Sequence, residues 1–129
     1  MELHLDLVGG LAGDMFVAAM LDLFPDLEAA VQRHAATIDV KPRRLSIRDT
    51  TSRWGSCSAA GAMSFSWRLI LAPPLVLDYL AAHEVAHLVH LDHSAKFWAL
   101  TRRLAPETDQ AEAWLRAHGA QLHRFIAPR

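Results

Sequence analysis

The chain has a single cysteine, Cys57, so no disulfide can form within it. That excludes the disulfide-stapled secreted scaffolds and agrees with a reducing compartment. Nor does any apolar run reach the ~20 residues needed to cross a bilayer. The stretch from Leu69 to Leu77 is short and broken by Pro73 and Pro74. The opening has no basic start of the secretory kind and carries Glu2, Asp6 and Asp14 instead. The expectation is a soluble, cytoplasmic protein without a membrane partner. Gly9-Gly10-Leu11-Ala12-Gly13-Asp14 lacks the GK[ST] ending of a phosphate loop, and its spacing does not fit GxGxxG. Asp14 would also repel phosphate, so this segment reads as structural. Internal repeats and low-complexity segments are absent too.

Basic residues are missing from one region in particular. Residues 1–32 hold six acids and no Lys or Arg, whereas residues 41–68 hold Lys41, Arg43, Arg44, Arg48, Arg53 and Arg68 against the lone acid Asp49. The formal net charge is only -1, so no nucleic acid polymer is expected as a partner. A sign switch of this kind marks two functional surfaces, two sequence origins, or simply two solvated faces.

What is present is the composition of a globular domain: 129 residues, 52% hydrophobic and 21% charged. His4 to Val8 reads as a short strand, followed by a flexible turn at Gly9, Gly10 and Gly13. Asp14 can cap a helix from Met15 to about Phe24, and Pro25 ends or restarts it, opening a second helix to about Ala36. Leu45 to Asp49 alternates as a strand, with Leu45 and Ile47 on one face. Residues 50–61, rich in Ser, Thr and Gly, read as a loop. Met63, Phe65, Trp67 and Leu69 alternate through a strand over Ala62 to Leu71. The longest helix is expected from about Pro74 to about His90, apolar on almost every face and therefore buried. Ser94 can cap a helix over Ala95 to Leu104, closed by Pro106. A last helix runs from Glu107 to about Ala117, with Gly119 at its stop. This order argues for an α+β domain.

Inside the buried helix stands His83-Glu84-Val85-Ala86-His87, an HExxH pattern. Residues four apart share a helix face, so both imidazoles can reach one ion. Glu84, about 100° around from His83, lies beside the ion's open side and can take a proton from its bound water. The competing reading is a buried helix with two hydrogen-bonded histidines. Against it, placing His, Glu and His in an apolar helix without a use costs a few kcal/mol, and His93 follows where a third ligand is expected. Three protein ligands leave a fourth position open for catalysis. Many sequences with this spacing carry Gly where His90 stands; here His90-Leu91-Asp92 must make the turn, with Asp92 tolerant of left-handed conformations. His90 itself lies about 300° around from His87 and is expected to be exposed or to support the ligands from behind.

Several ordered motifs carry a resemblance. SRWGSC (52–57), the Trp67-Arg68-Leu69 segment, ILAPP (70–74), LDYLAAHEVAHLVHLDHSAKFW (77–98) and WLRAHG (114–119) make residues 35–129 similar to the YgjP-like metal-dependent hydrolases, within the wider zincin-like peptidases. The resemblance implies a small β-sheet packed on the HExxH helix with further helices, Zn2+ at His83, His87 and His93, and Glu84 as the catalytic residue. It also implies that the Arg53–Cys57 loop lies near the site and that Phe97 and Trp98 anchor the helix after the third ligand. Residues 1–34 depart from that family. LHLDLVGGLAGDMFVAAMLDLFPDLEAA (3–30) instead resembles the opening of LarC-type nickel-insertion proteins, where a strand leads through a GxxGDM turn into a helix.

Other residues have plainer readings. Cys57 is either a small buried residue or a group that ligates or regulates the metal. Trp54, Trp67, Trp98 and Trp114 read as core anchors, and Trp54, in a polar loop, is also a candidate with Arg53 to line a substrate pocket. His118 and His123 are expected at the surface, and Arg102-Arg103 on a solvated helix face. Three functions remain open: a zinc-dependent peptidase-type hydrolase; a UTP pyrophosphatase using the same metal, an activity the resemblance links to the family and the basic segment suits; and an inactive remnant that binds metal or a partner. Peptide or nucleoside triphosphate is the expected substrate, and the oligomeric state is left open.

Overall fold

The computed structural model describes residues 13–50 and 52–124, with side chains in the first helix from Leu21 onward. The expected strand over His4–Val8 and most of the glycine turn lie outside these residues.

The first helix, α1 (Gly13–Thr37), runs straight through Pro25, where the sequence suggested a break. The reason is phase. Leu23, Leu27, Ala30, Val31 and Ala35 are all buried and follow one helical stripe on both sides of the proline. Pro25 is exposed and so is Leu21, whose carbonyl Pro25 cannot serve, so water can satisfy that group.

β1 (Arg44–Arg48) lies at one edge of a three-stranded sheet, β3 (Ala62–Ser66) in the centre and β2 (Gly55–Cys57) at the other edge. β1 and β3 are parallel; β2 and β3 form an antiparallel hairpin. β2 falls within the segment expected to be a loop. Gly-Ser-Cys has no strand preference of its own and becomes a strand only by pairing with β3. The hairpin turns at Gly61, whose φ of 91° is in the region open chiefly to glycine.

β3 ends earlier than expected. Trp67–Leu71 form a 3₁₀ turn, capped by Ser66 Oγ, which accepts from the Arg68 N–H. Trp67, Arg68 and Leu69 are all buried. Arg68 is drawn inward by Asp49, which accepts from its Nη1 at 2.6 Å and from Trp67 Nε1 at 2.9 Å. The basic segment is therefore not a single surface.

Three helices follow: α2 (Pro74–Ala86), α3 (Ala95–Leu104) and α4 (Thr108–His123). Leu45, Ile47, Met63 and Phe65 point from the sheet into a core closed by α1 and α2. His34 of α1, almost wholly buried, bonds Asp78 of α2 at 3.0 Å, and Arg33 pairs with the same carboxylate. α4 continues through Gly119, the expected stop, because Trp54 packs directly on that glycine: a Cβ there would lie 3.4 Å from the indole. The architecture is α+β, with the sheet packed on the HExxH helix as the sequence indicated. No helix among the described residues is long and apolar enough to cross a membrane.

Candidate metal centre

α2 opens on Pro74, whose missing N–H is no loss in a first turn. Val76, Tyr79, Leu80, Ala81, Ala82, Val85 and Ala86 bury it on nearly every side. His83 and His87 occupy the side left open toward the chain that returns from its end.

The helix closes at Ala86, a turn earlier than expected. His87 keeps a right-handed conformation while its N–H reaches Glu84 and Val85, and Leu88 and Val89 bond three residues back. This tightening lets the His87 Nδ1–H donate to the His90 carbonyl at 2.9 Å. None of His90, Leu91 and Asp92 has a positive φ, so the bend needs neither glycine nor a left-handed aspartate. His90 thus acts through its backbone, fixing the tautomer that leaves the His87 Nε2 lone pair facing the site.

The bend returns His93 to the helix. Ser94 then starts α3 at once, its Oγ accepting from the Phe97 N–H at 3.3 Å. His87 Nε2 and His93 Nε2 stand 3.2 Å apart. Two imidazole nitrogens at that separation need a proton or a cation between them. One ligand atom from each of His83, His87 and His93 can be chosen so that all lie within 4.8 Å of one another. Burial, then repulsion from His83 and His87, holds His93 below the usual histidine range, favouring the neutral form that a metal requires. Three imidazoles with an open side fit a divalent ion.

A family model described as a YgjP-like metallopeptidase domain matches residues 22–118. The chain belongs to the YgjP-like metallopeptidase family. No curated protein and no solved structure is significantly similar to it. Family and histidine group together indicate a metal-dependent hydrolase.

In this YgjP-like chain Glu84 is only 3% exposed and lies beside His83, whose Nδ1 is 3.1 Å from Glu84 Oε2. The wall facing the carboxylate is β2. A Cβ on Gly55 would stand 3.0 Å from Glu84 Oε2, 3.3 Å from its Cγ and 3.2 Å from Phe65. Glycine lets the strand lie this close without pressing on the carboxylate or on Phe65. Gly55→Ala is therefore expected to push the carboxylate aside while leaving the histidines in place. The shift required is a few tenths of an ångström. If Glu84 takes part in turnover, kcat should fall, by less than the roughly 10²-fold that a 1 Å misplacement costs, while metal content stays at wild-type level; undiminished kcat would show that Glu84 has room to adjust.

Phe97 does more than anchor α3. Its buried ring meets all three histidines, with centroids 4.9 Å from His83, 4.4 Å from His87 and 5.0 Å from His93. Trp98 flanks His83 and stacks on His93. Tyr79 stands edge-on to His83 and donates to Glu112 at 2.7 Å; burial and that bond hold its hydroxyl protonated.

A hollow of about 340 Å³ opens over the histidines and Glu84, walled by Gly55, Ser56, Cys57 and Leu91, with Arg53 at its rim. Cys57 is half-buried; burial, then the charge of Glu84, pushes its thiol up to about 12. It stays protonated and stands outside the histidine group, whose ligand atoms are all imidazole nitrogens. Trp54 is not on this wall. It stacks on His123 with centroids 4.0 Å apart and fastens the loop to α4. His123 is accordingly enclosed by this contact, not displayed at the surface, while His118 is exposed.

Proposed function

We propose that the chain is a zinc-dependent hydrolase of peptide bonds in which His83, His87 and His93 hold the metal and Glu84 is the general base. The observation that carries this is the convergence of three imidazoles within 4.8 Å beside an enclosed carboxylate. All-imidazole donors with one open position suit zinc. The ion supplies Lewis acidity, lowering the pKa of water and polarising a carbonyl. Glu84 accepts the proton that water gives up on attacking the carbonyl and passes it to the departing amine. The low exposure of Glu84 keeps bulk water from competing for that proton.

The second reading, UTP pyrophosphatase, draws on Arg53 at the rim, since guanidinium matches phosphate. A remnant that binds metal and turns over nothing is the third. For residues 1–34 we propose a structural part: their helix closes the core through Leu23, Leu27 and Val31, and because the family match already begins at residue 22, a LarC-like opening is confined to the residues before it. The lone cysteine suits a cytoplasmic location.

Elemental mass spectrometry on untagged protein should give about one zinc per chain. His93→Ala should lower zinc affinity at least tenfold, and full retention would mean that another group takes its place. Wild-type protein cutting a peptide library and leaving UTP intact supports the peptidase reading; pyrophosphate release from UTP with no peptide cleavage replaces it with the nucleotide reading. Tight zinc binding with neither activity points to the remnant.

A further inference from the structure

β2 forms the wall over Glu84, yet it is three residues long and sits at the edge of the sheet, paired with β3 on one side. From Ser52 to Ser58 the one large apolar side chain is that of Trp54, the residue directly before the strand. Its carbonyl accepts from the Ser66 N–H at 2.9 Å, which extends the hairpin, while its indole reaches α4. There it lies against Gly119 and stacks on His123, with centroids 4.0 Å apart and the rings 20° from parallel. The backbone of Arg53 accepts a hydrogen bond from the same imidazole. Burial, then the charge of Arg68, holds His123 below the usual histidine range, which favours a neutral ring beneath the indole. Among the described residues its Nε2 has no partner. The last turn of α4 thus grips the two residues that lead into β2.

We infer that His123 is a positioning residue: through Trp54 it holds β2 against α2 and so fixes the place of Glu84. The step that concerns Glu84 in turnover rests on the hydrolase reading; the hold on β2 does not. The link from strand to carboxylate is short. Gly55 follows Trp54 directly, and a Cβ at Gly55 would stand 3.0 Å from Glu84 Oε2. With the strand this close, the distance of β2 from α2 sets both the room the carboxylate has and its exclusion from water, now at 3% exposure. An edge strand paired on one side can swing about its neighbour. Stacking on α4 supplies a second point of attachment, and the broad faces of indole and imidazole resist such a swing. α4 is in turn tied to α2 by the Tyr79–Glu112 hydrogen bond of 2.7 Å, so the strand and the helix carrying Glu84 share one frame.

Cys57, the chain's one thiol, stands on β2 and reports the strand's position without turnover. It is half-buried beside the hollow, so full-length, zinc-loaded protein should react slowly with N-ethylmaleimide, followed by intact mass. His123→Ala keeps a good helix former at the end of α4 and removes the stacked ring. It should speed the reaction about tenfold or more with zinc content unchanged, because freeing β2 exposes the thiol. His123→Phe restores a neutral flat ring and should return the rate to about that of wild type. Leu27→Ala, which loosens the core on α1, should leave the rate unaltered. Cleavage of a peptide library should follow the same order, falling about tenfold in His123→Ala and recovering in His123→Phe. An unaltered thiol rate in His123→Ala, an equal rise in Leu27→Ala, or no recovery in His123→Phe overturns the proposal. A faster thiol with undiminished cleavage overturns the part that concerns Glu84. If the thiol rates behave as expected while wild-type protein cleaves nothing, the hold on β2 stands and the hydrolase reading fails.

Discussion

Glu84→Gln should keep one zinc per chain and lose turnover. The glutamate is not among the grouped metal-binding atoms, which are supplied by His83, His87 and His93. Glutamine has nearly the same volume, and its amide oxygen can still accept from His83 Nδ1, now 3.1 Å from Glu84 Oε2. Packing in a site 3% exposed is thus preserved. What disappears is the ability to take a proton near neutral pH. General acid–base assistance contributes roughly 10²–10⁴-fold, so kcat should drop by that factor with KM little changed, measured on whichever substrate the screen identifies. Loss of zinc along with activity would mean that the carboxylate holds His83 in place and that the variant reports on metal binding. Retention of more than a tenth of kcat would remove Glu84 from the mechanism altogether.

The parts of the site that were legible in the sequence are those set by local geometry. His83 and His87 share a face because a helix repeats every 3.6 residues, and His93 follows at the distance one sharp turn can span. Ser94 caps α3 as its position suggests. The remainder depends on contacts between distant segments. β2 has three residues, none with strand preference, and exists because β3 offers it a partner. Trp67 and Leu69 alternate like strand residues, yet Ser66 and the pull of Asp49 on Arg68 wind them into a turn. Pro25 and Gly119 looked like helix boundaries. Each is tolerated for a tertiary reason: the core stripe of α1 in the first case, the indole of Trp54 in the second. The closeness of Gly55 to Glu84 is likewise invisible in sequence, although a glycine next to Trp54 in a polar segment was a signal that backbone approaches something there.

Phe97→Ala should destabilise the fold and weaken the metal site together. Its ring is completely buried and touches His83, His87 and His93, so it is the common floor on which the three imidazoles rest. Removing a buried phenyl ring costs about 3–5 kcal/mol, a large part of the stability of a domain this size. The resulting cavity lies directly behind the ligands. His87 loses the ring on which it is stacked, with an interplanar angle of 25°, and His93 loses a neighbour at the start of α3. Zinc affinity should fall at least tenfold, as it does when groups supporting metal ligands are removed. Leu27→Ala separates the two effects. Leu27 is equally buried but belongs to α1, and its replacement should cost a similar few kcal/mol with zinc affinity unchanged in the folded protein. Urea unfolding and competitive zinc titration on both variants provide the comparison. Equal losses of zinc affinity in the two would show that the site responds to stability alone. A loss confined to Phe97→Ala would show that this ring holds the three histidines in their ligating arrangement.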